Sequence, residues 1–272
     1  EDFVGREADT RVYPCVAPHD AYTCSREVLK RASSIAHKYE VMMHIHLSET
    51  LDAHNSIKQK EGVTSAQYMY ECGVFDHNLV AAHCIHLEES DMELFKEHNV
   101  SISYNPVSNL KLCSGILPLR KVFDYEINVT LGVDGAQSNN SLDLLADMKI
   151  GSLIQKMNEN DPTFLPAEQS VRMITINGAK ALGMEDQIGS LEVGKSADII
   201  ALNLDDCNLT PIYNSVEHLY SHIIYSADGR NVTDVWVDGE QLVENRKHLR
   251  ADEENIICSA QIATEELSKN IF

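Results

Sequence analysis

From about residue 10 to residue 185, short apolar runs alternate with amphipathic stretches, the pattern of βα units around a parallel sheet. Five runs read as strands: "RVYPCVAP", which ends in the loop "HDAYTCS", then "VMMHIHL", "NLVAAHCI", "VSISYNP" and "EINVTLGVDG". Between the first two, Ser25 is placed to cap a helix through Tyr39, with Leu29, Ala32, Ile35, Ala36 and Tyr39 on one face. Further helices are predicted near residues 64–72 and 88–98, and from Ser141 to about Met157, with a cap at Asn140 or Ser141 in "DGAQSNNS". A helix over roughly 168–182 ends at Gly183, after which the pattern changes. "IGSLEVGKSADIIALNLD" and "VTDVWVDGEQLVEN" read as β-hairpin material with Gly-centred turns, and Ala251 to Phe272 as a surface helix with Ile256, Ile257, Ala260 and Ile262 among acids. The predicted organisation is therefore an α/β barrel portion over 1–187, a β appendage over 188–250 and a helical tail over 251–272.

The residues capable of chemistry recur at one place in each unit. His19, His44, His46, His83, Asn105 and Asp134 all stand at or just past the C-terminal end of a predicted strand, where a (β/α) barrel builds its active site. In an extended strand the side chains of 44 and 46 share a face, and Glu49 follows on the loop just above. Taken alone these three read equally well as partly satisfied core histidines beside a surface glutamate. His83, closing "LVAAHC", and Asp134, closing "VTLGVD", change that balance, because two imidazoles and a carboxylate at one rim suit zinc or iron. A buried ionised aspartate is also costly unless a metal or partner compensates it. Elsewhere, Asn105, Ser108 and Asn109 read as loop-shaping residues, Ser138 as a weak candidate for substrate contact, His86 as a loop histidine and His54 as a solvated one. Cys84 and Cys113 read as small apolar fillers.

Length and composition narrow the class. A chain of 272 residues has room for one large domain plus an appendage. No apolar run approaches a membrane span, and the acidic, polar start is neither a signal nor a transit peptide. A net charge of −20 argues against nucleic acid or an anionic membrane as partner, leaving a small molecule. Seven scattered cysteines without a CxxC pair read as reduced thiols in a cytoplasmic protein, so the N-x-S/T triplets at Asn99, Asn128, Asn139 and Asn231 read as chance matches.

The motifs "HIHLSET", "AAHCIHL", "YNPVSNLKLCSGILPL", "LGVDGAQSNNSLDL" and "GSLEVGKSADIIAL", in this order along nearly the whole chain, resemble those of the amidohydrolase superfamily. More narrowly they are similar to the branch of 5-methylthioadenosine/S-adenosylhomocysteine deaminases and related chlorohydrolases. The resemblance implies a metal-dependent hydrolytic deaminase acting on adenosine-type nucleosides with one divalent ion, zinc or else iron. It makes His46 a metal ligand, Asp134 a ligand that also takes a proton from the attacking water, Glu49 the acid that protonates the ring nitrogen, His83 a contact to that water and His19 a contact to the purine. His44, the first histidine of its motif, is not a ligand in that pattern. Triazine chlorohydrolases and guanine- or cytosine-type deaminases are the neighbouring enzymatic readings, and a binding or scaffold protein without catalysis is the non-enzymatic one.

One departure stands out. The family opens with a strand carrying an H-x-H pair, and the only H-x-H here, His44 with His46, belongs to a later motif. The five strand units match the family's fourth to eighth, so the implied fold is part of a TIM-type (β/α)8 barrel whose N-terminal segment lies elsewhere. Two accounts are open: the C-terminal portion of a longer enzyme, or a truncated, inactive product. Association of subunits near the site, as a homo-oligomer, is a further implication.

Overall fold

The computed structural model describes residues 11–213 and 215–271. Met43–Leu47 (β1), Leu79–His83 (β2), Ser101–Tyr104 (β3) and Val129–Leu131 (β4) form a parallel sheet in the order β1-β2-β3-β4. The register sets His46 opposite Ala82, Ala82 opposite Ser103, and Ser103 opposite Thr130. The two-residue period then decides the faces. Met43, Ile45, Leu47, Leu79, Ile102 and Val129 are buried in the core. His44, on the alternate face, is exposed.

Helices cover the buried face. They run as α1 (Arg26–Tyr39), α2 (Leu51–Glu61), α3 (Ser65–Tyr70), α4 (Glu89–Glu97), α5 (Pro106–Lys111), α6 (Leu119–Asp124), α7 (Ala136–Asn139), α8 (Leu144–Glu159), α9 (Ala167–Met173) and α10 (Ile176–Ala181). Side-chain caps start several of them: Ser25, Thr50 and Thr64 each accept an N–H from the first turn of α1, α2 and α3. Phe75 and Phe95 meet edge to face, 5.5 Å between centroids, in the core that α1, α3 and α4 close. Beyond α10, Ile199–Leu202 (β5), Val232–Val237 (β6), Glu240–Glu244 (β7) and Lys247–His248 (β8) make an antiparallel sheet, with α11 (Val216–Tyr225) between β5 and β6 and the exposed α12 (Glu253–Ile271) after it.

The α/β class and the parallel sheet agree with the sequence pattern, while several local expectations do not. The strand expected over 11–18 is reduced to one bridge, in which Val16 N–H donates to Met42 O and His44 N–H donates to Val16 O. Pro14 and Pro18 flank Val16 and have no N–H to offer a ladder, so pairing cannot extend. The expected helix 168–182 is broken at Thr175 (ψ −103) into α9 and α10. The stretch before residue 199 forms no hairpin; β5 pairs across α11 with β6, and the true hairpin is β6–β7 through Asp238 and Gly239, both at positive φ as a tight two-residue turn requires. The cap of α8 is Asp143, not Asn140 or Ser141, and accepts from Leu145 and Ala146 N–H. α2, α5, α6, α7 and α11 lie where no helix was expected. His54 is buried rather than solvated, and Cys113 is exposed rather than a filler. Residues before 11 and Phe272, expected as parts of the barrel portion and the tail, lie outside the described residues.

Just beyond β4, Gly132 permits a close approach: a Cβ there would overlap Ser103 Oγ and Asn105 Oδ1, which are bonded to each other at 3.0 Å. Gly132→Ala should lower stability by about 1–3 kcal/mol, the usual cost of forcing extra volume into packed surroundings. Urea titration of the two proteins checks it; equal midpoints would show that the neighbours yield freely.

Candidate metal and acid–base site

Each candidate side chain is set by the way its strand ends. His46 lies near the end of β1, where its backbone N–H and its ring Nδ1 both bond His19 O, at 3.0 and 2.8 Å. A carbonyl can only accept, so Nδ1 carries the proton and Nε2 keeps its lone pair. His83 closes β2 with φ +70 and is buried, its Nδ1 2.8 Å from Asn109 Oδ1. The amide oxygen again draws the proton to Nδ1 and frees Nε2. The two rings are nearly parallel, 5.5 Å apart.

Asp134 follows β4 with φ +61, and its Oδ2 accepts from Ser108 Oγ at 2.6 Å and Ser138 Oγ at 2.7 Å. Burial alone would raise its pKa, but those two hydroxyls, the Gly135 N–H and the neighbouring His83 ring outweigh it and hold the carboxyl below its ordinary value. Glu49 stands two residues past β1, half-buried, with Oε1 3.3 Å from Ser114 Oγ and Oε2 3.8 Å from His83 Nε2. His19 is exposed, holds Thr23 Oγ1 through Nδ1 at 2.9 Å and lies 4.8 Å from the His46 ring. His44 continues the row, 6.5 Å from the His46 ring, without a donor atom in the cluster.

Donor atoms of His46, His83 and Asp134 lie within 4.8 Å of one another. Tetrahedral ligands at ~2.0–2.1 Å from a zinc ion lie ~3.4 Å apart, so side-chain rotations that draw the widest pair in by about 1.4 Å would close this set on a cation. Two imidazoles with free lone pairs and an ionised carboxylate are also the right donor types for zinc or iron. The set fits a divalent metal.

The sequence assigned other roles to the residues that hold this cluster: Ser138, read as a substrate contact, bonds Asp134 instead. Ser108 and Asn109 are neighbours on the short α5; one braces Asp134 and the other His83. The loop expected there is this helix, and both residues act on the site from it. Asn139 ties the Asp134 turn to α8, its Nδ2 donating to Val133 O at 2.8 Å and to Asp147 Oδ2 at 2.7 Å. Asp147 is buried with Oδ1 unpartnered, and burial, only partly offset by Asn139, pushes its pKa up to about 6. Asp20, also buried with one oxygen unpartnered, is likewise raised to about 6 by burial, against the Tyr22 N–H and His46 that favour its charge. No spacing rule in the sequence marks these two.

Taken together, these features define an α/β protein with a candidate metal centre and an adjacent carboxyl acid at the strand ends of a parallel sheet. The chain belongs to the amidohydrolase family, which matches residues 1–242. It is 42% identical over 260 residues to a 5'-deoxyadenosine deaminase of Methanosarcina acetivorans, covering 96% of this chain and 59% of the relative. It is 37% identical to a 5-methylthioadenosine/S-adenosylhomocysteine deaminase of Desulforudis audaxviator, covering 99% and 63%. Among solved structures it resembles a zinc-bound adenosine deaminase from Xanthomonas campestris, with a TM-score of 0.87 at 31% identity, over 93% of this chain and 57% of the other. The chain thus spans about 60% of the length of these curated relatives. No helix among the described residues is long and apolar enough to cross a membrane.

The raised pKa of Asp147 fixes a sign for stability. Its proton is held in the fold up to about pH 6 but only to the ordinary 3.8 in an open chain, so this group favours folding at low pH and that advantage is lost as pH rises from about 4 to 6. Asp147→Asn removes the titration. The melting temperature of the variant relative to wild type should therefore move in the variant's favour between pH 4 and pH 7; a gap independent of pH would contradict the assignment.

Proposed function

We propose that this chain carries the catalytic portion of a metal-dependent aminohydrolase acting on adenosine-type nucleosides, 5'-deoxyadenosine, methylthioadenosine and S-adenosylhomocysteine being the forms to test first. The observation that carries the reading is the convergence of His46, His83 and Asp134 donor atoms within 4.8 Å, with Glu49 beside them. His46 Nε2 and Asp134 would hold the ion. A divalent cation there supplies Lewis acidity that brings the pKa of water towards ~7.

The protein groups then divide the proton work. Asp134, kept ionised by Ser108 and Ser138, accepts a proton from the attacking water. His83 orients that water through Nε2, whose partner nitrogen is fixed by Asn109. The water oxygen bonds to the amino-bearing ring carbon, which becomes electrophilic once Glu49 gives its proton to the adjacent ring nitrogen. The proton on Asp134 passes to the amino group, the C–N bond breaks and ammonia leaves. The hydroxyl proton left on the carbon returns to Glu49 as the ring carbonyl forms, giving an inosine-type product. His19, exposed beside His46, is assigned the purine contact.

The four-stranded sheet is read as part of a (β/α)8 barrel that an N-terminal segment of a longer polypeptide completes. Two features support this. The chain spans about 60% of its curated relatives, and a cavity of about 1220 Å³ opens on the face that carries His44, beside rather than at the metal donors, where His44, Val80, Ser103 and Thr130 leave room for closing strands.

Ammonia release by the full-length zinc-loaded polypeptide, over adenosine derivatives, guanine and chlorotriazines, tests the reading. Turnover of adenosine derivatives is expected, with loss of about 10²–10⁴-fold in Glu49→Gln, the usual worth of general acid catalysis, and abolition in Asp134→Asn with the fold kept. Chloride release from triazines alone, or ammonia from guanine alone, would move the protein to those chemistries. Metal-loaded protein inert towards every compound would overturn the enzymatic reading.

A further inference from the structure

Between β1 and Glu49 stands Ser48, a non-glycine residue with φ +47 and almost no exposed surface. Its carbonyl accepts from both Ile85 and His86 N–H at 3.1 Å, and its Oγ lies 3.1 Å from Nδ1 of His54, a buried histidine in the first turns of α2. His54 Nε2 is 3.3 Å from Glu88 Oε1 at the surface, where Lys58 pairs with the same oxygen. The Lys58 hydrogen bond holds the Glu88 carboxyl below its ordinary value, so Glu88 accepts, Nε2 carries the proton, and Nδ1 is left to accept the Ser48 hydroxyl proton.

Serine, histidine and glutamate in this order resemble a nucleophile with its base and orienter. Burial removes that role, since Ser48 Oγ has no room to meet a substrate. What the chain of bonds does fix is backbone. A left-handed serine costs roughly 1–2 kcal/mol, and among the described residues Glu49 itself has only the 3.3 Å contact to Ser114 and the 3.8 Å approach to His83 to hold it. We infer that His54 is a positioning residue: through Ser48 it locks the turn that aims the Glu49 carboxyl into the site. This rests on the reading of Glu49 as the proton donor.

The test uses the full-length zinc-loaded polypeptide and compares Ser48→Ala, His54→Phe, the double variant, His54→Asn and Glu49→Gln in steady-state deamination, with zinc content measured alongside. Ser48→Ala and His54→Phe should each lower kcat about 10- to 100-fold, the range for losing a supporting hydrogen bond at a site, with KM and zinc content unchanged. The double variant should lose no more than either single one, because both remove the same bond. His54→Asn, whose side-chain oxygen can accept the Ser48 proton in place of Nδ1, should recover much of the rate. Ser48→Ala covers the case in which His54→Phe does not fold. Normal kcat in Ser48→Ala and His54→Phe beside a crippled Glu49→Gln overturns the positioning role alone, as do additive losses, or losses carried by KM or zinc content. An unimpaired Glu49→Gln overturns the donor role and the inference with it.

Discussion

Three strands of the parallel sheet leave it through non-glycine residues in the left-handed region: Ser48 after β1, His83 at the end of β2 and Asp134 after β4. Each such residue costs about 1–2 kcal/mol relative to ordinary backbone. Each is also gripped by its side chain, Ser48 by His54, His83 by Asn109, and Asp134 by Ser108 and Ser138. The sharp exits turn His83, Asp134 and, after Ser48, Glu49 over the rim of the sheet instead of leaving them on its alternating faces. Strain and grip together are what bring groups from separate segments to one point.

The grips have a common construction. α5 supplies two adjacent residues to two different donors, so one short helix sets the separation of His83 and Asp134. Asn139 and Asp147 extend the same logic into α8, one amide spanning a backbone carbonyl of the Asp134 turn and a buried carboxylate. Buried polar groups of this kind are costly when incompletely paired. Asp147 and Asp20 each keep one unpartnered oxygen, and burial displaces both towards the protonated form. The site is assembled at some expense in stability, which the apolar packing of β1–β4 against their helices offsets.

The rim position of His46, His83 and Asp134 was legible because strand ends are readable from apolar runs and because imidazole and carboxylate are rare there without reason. The family motifs added the roles proposed for them. What could not be read was the grip. Ser108 and Asn109 look like ordinary loop residues, since nothing in local spacing says which distant side chain they meet. α2 buries a histidine and Ile57 where an apolar stripe would be expected, so its periodicity was invisible and His54 looked solvated. The first strand failed for a local reason that was present in the sequence: prolines on both sides of Val16 leave a single bridge. α11 was missed although Ser215 caps it, because its burial rests largely on Ile224 and it interrupts two strands that pair only across it.

The central claim is that a cation sits between His46 of β1 and the Asp134 turn. Anomalous diffraction at the zinc edge, from crystals of the full-length polypeptide grown with zinc, measures this directly. The account predicts one strong peak at ~2.0–2.2 Å from both His46 Nε2 and an Asp134 carboxylate oxygen, with His83 Nε2 facing it. A peak bound elsewhere with none at this position, or Asp134 turned away from a vacant rim in zinc-saturated crystals, would contradict it.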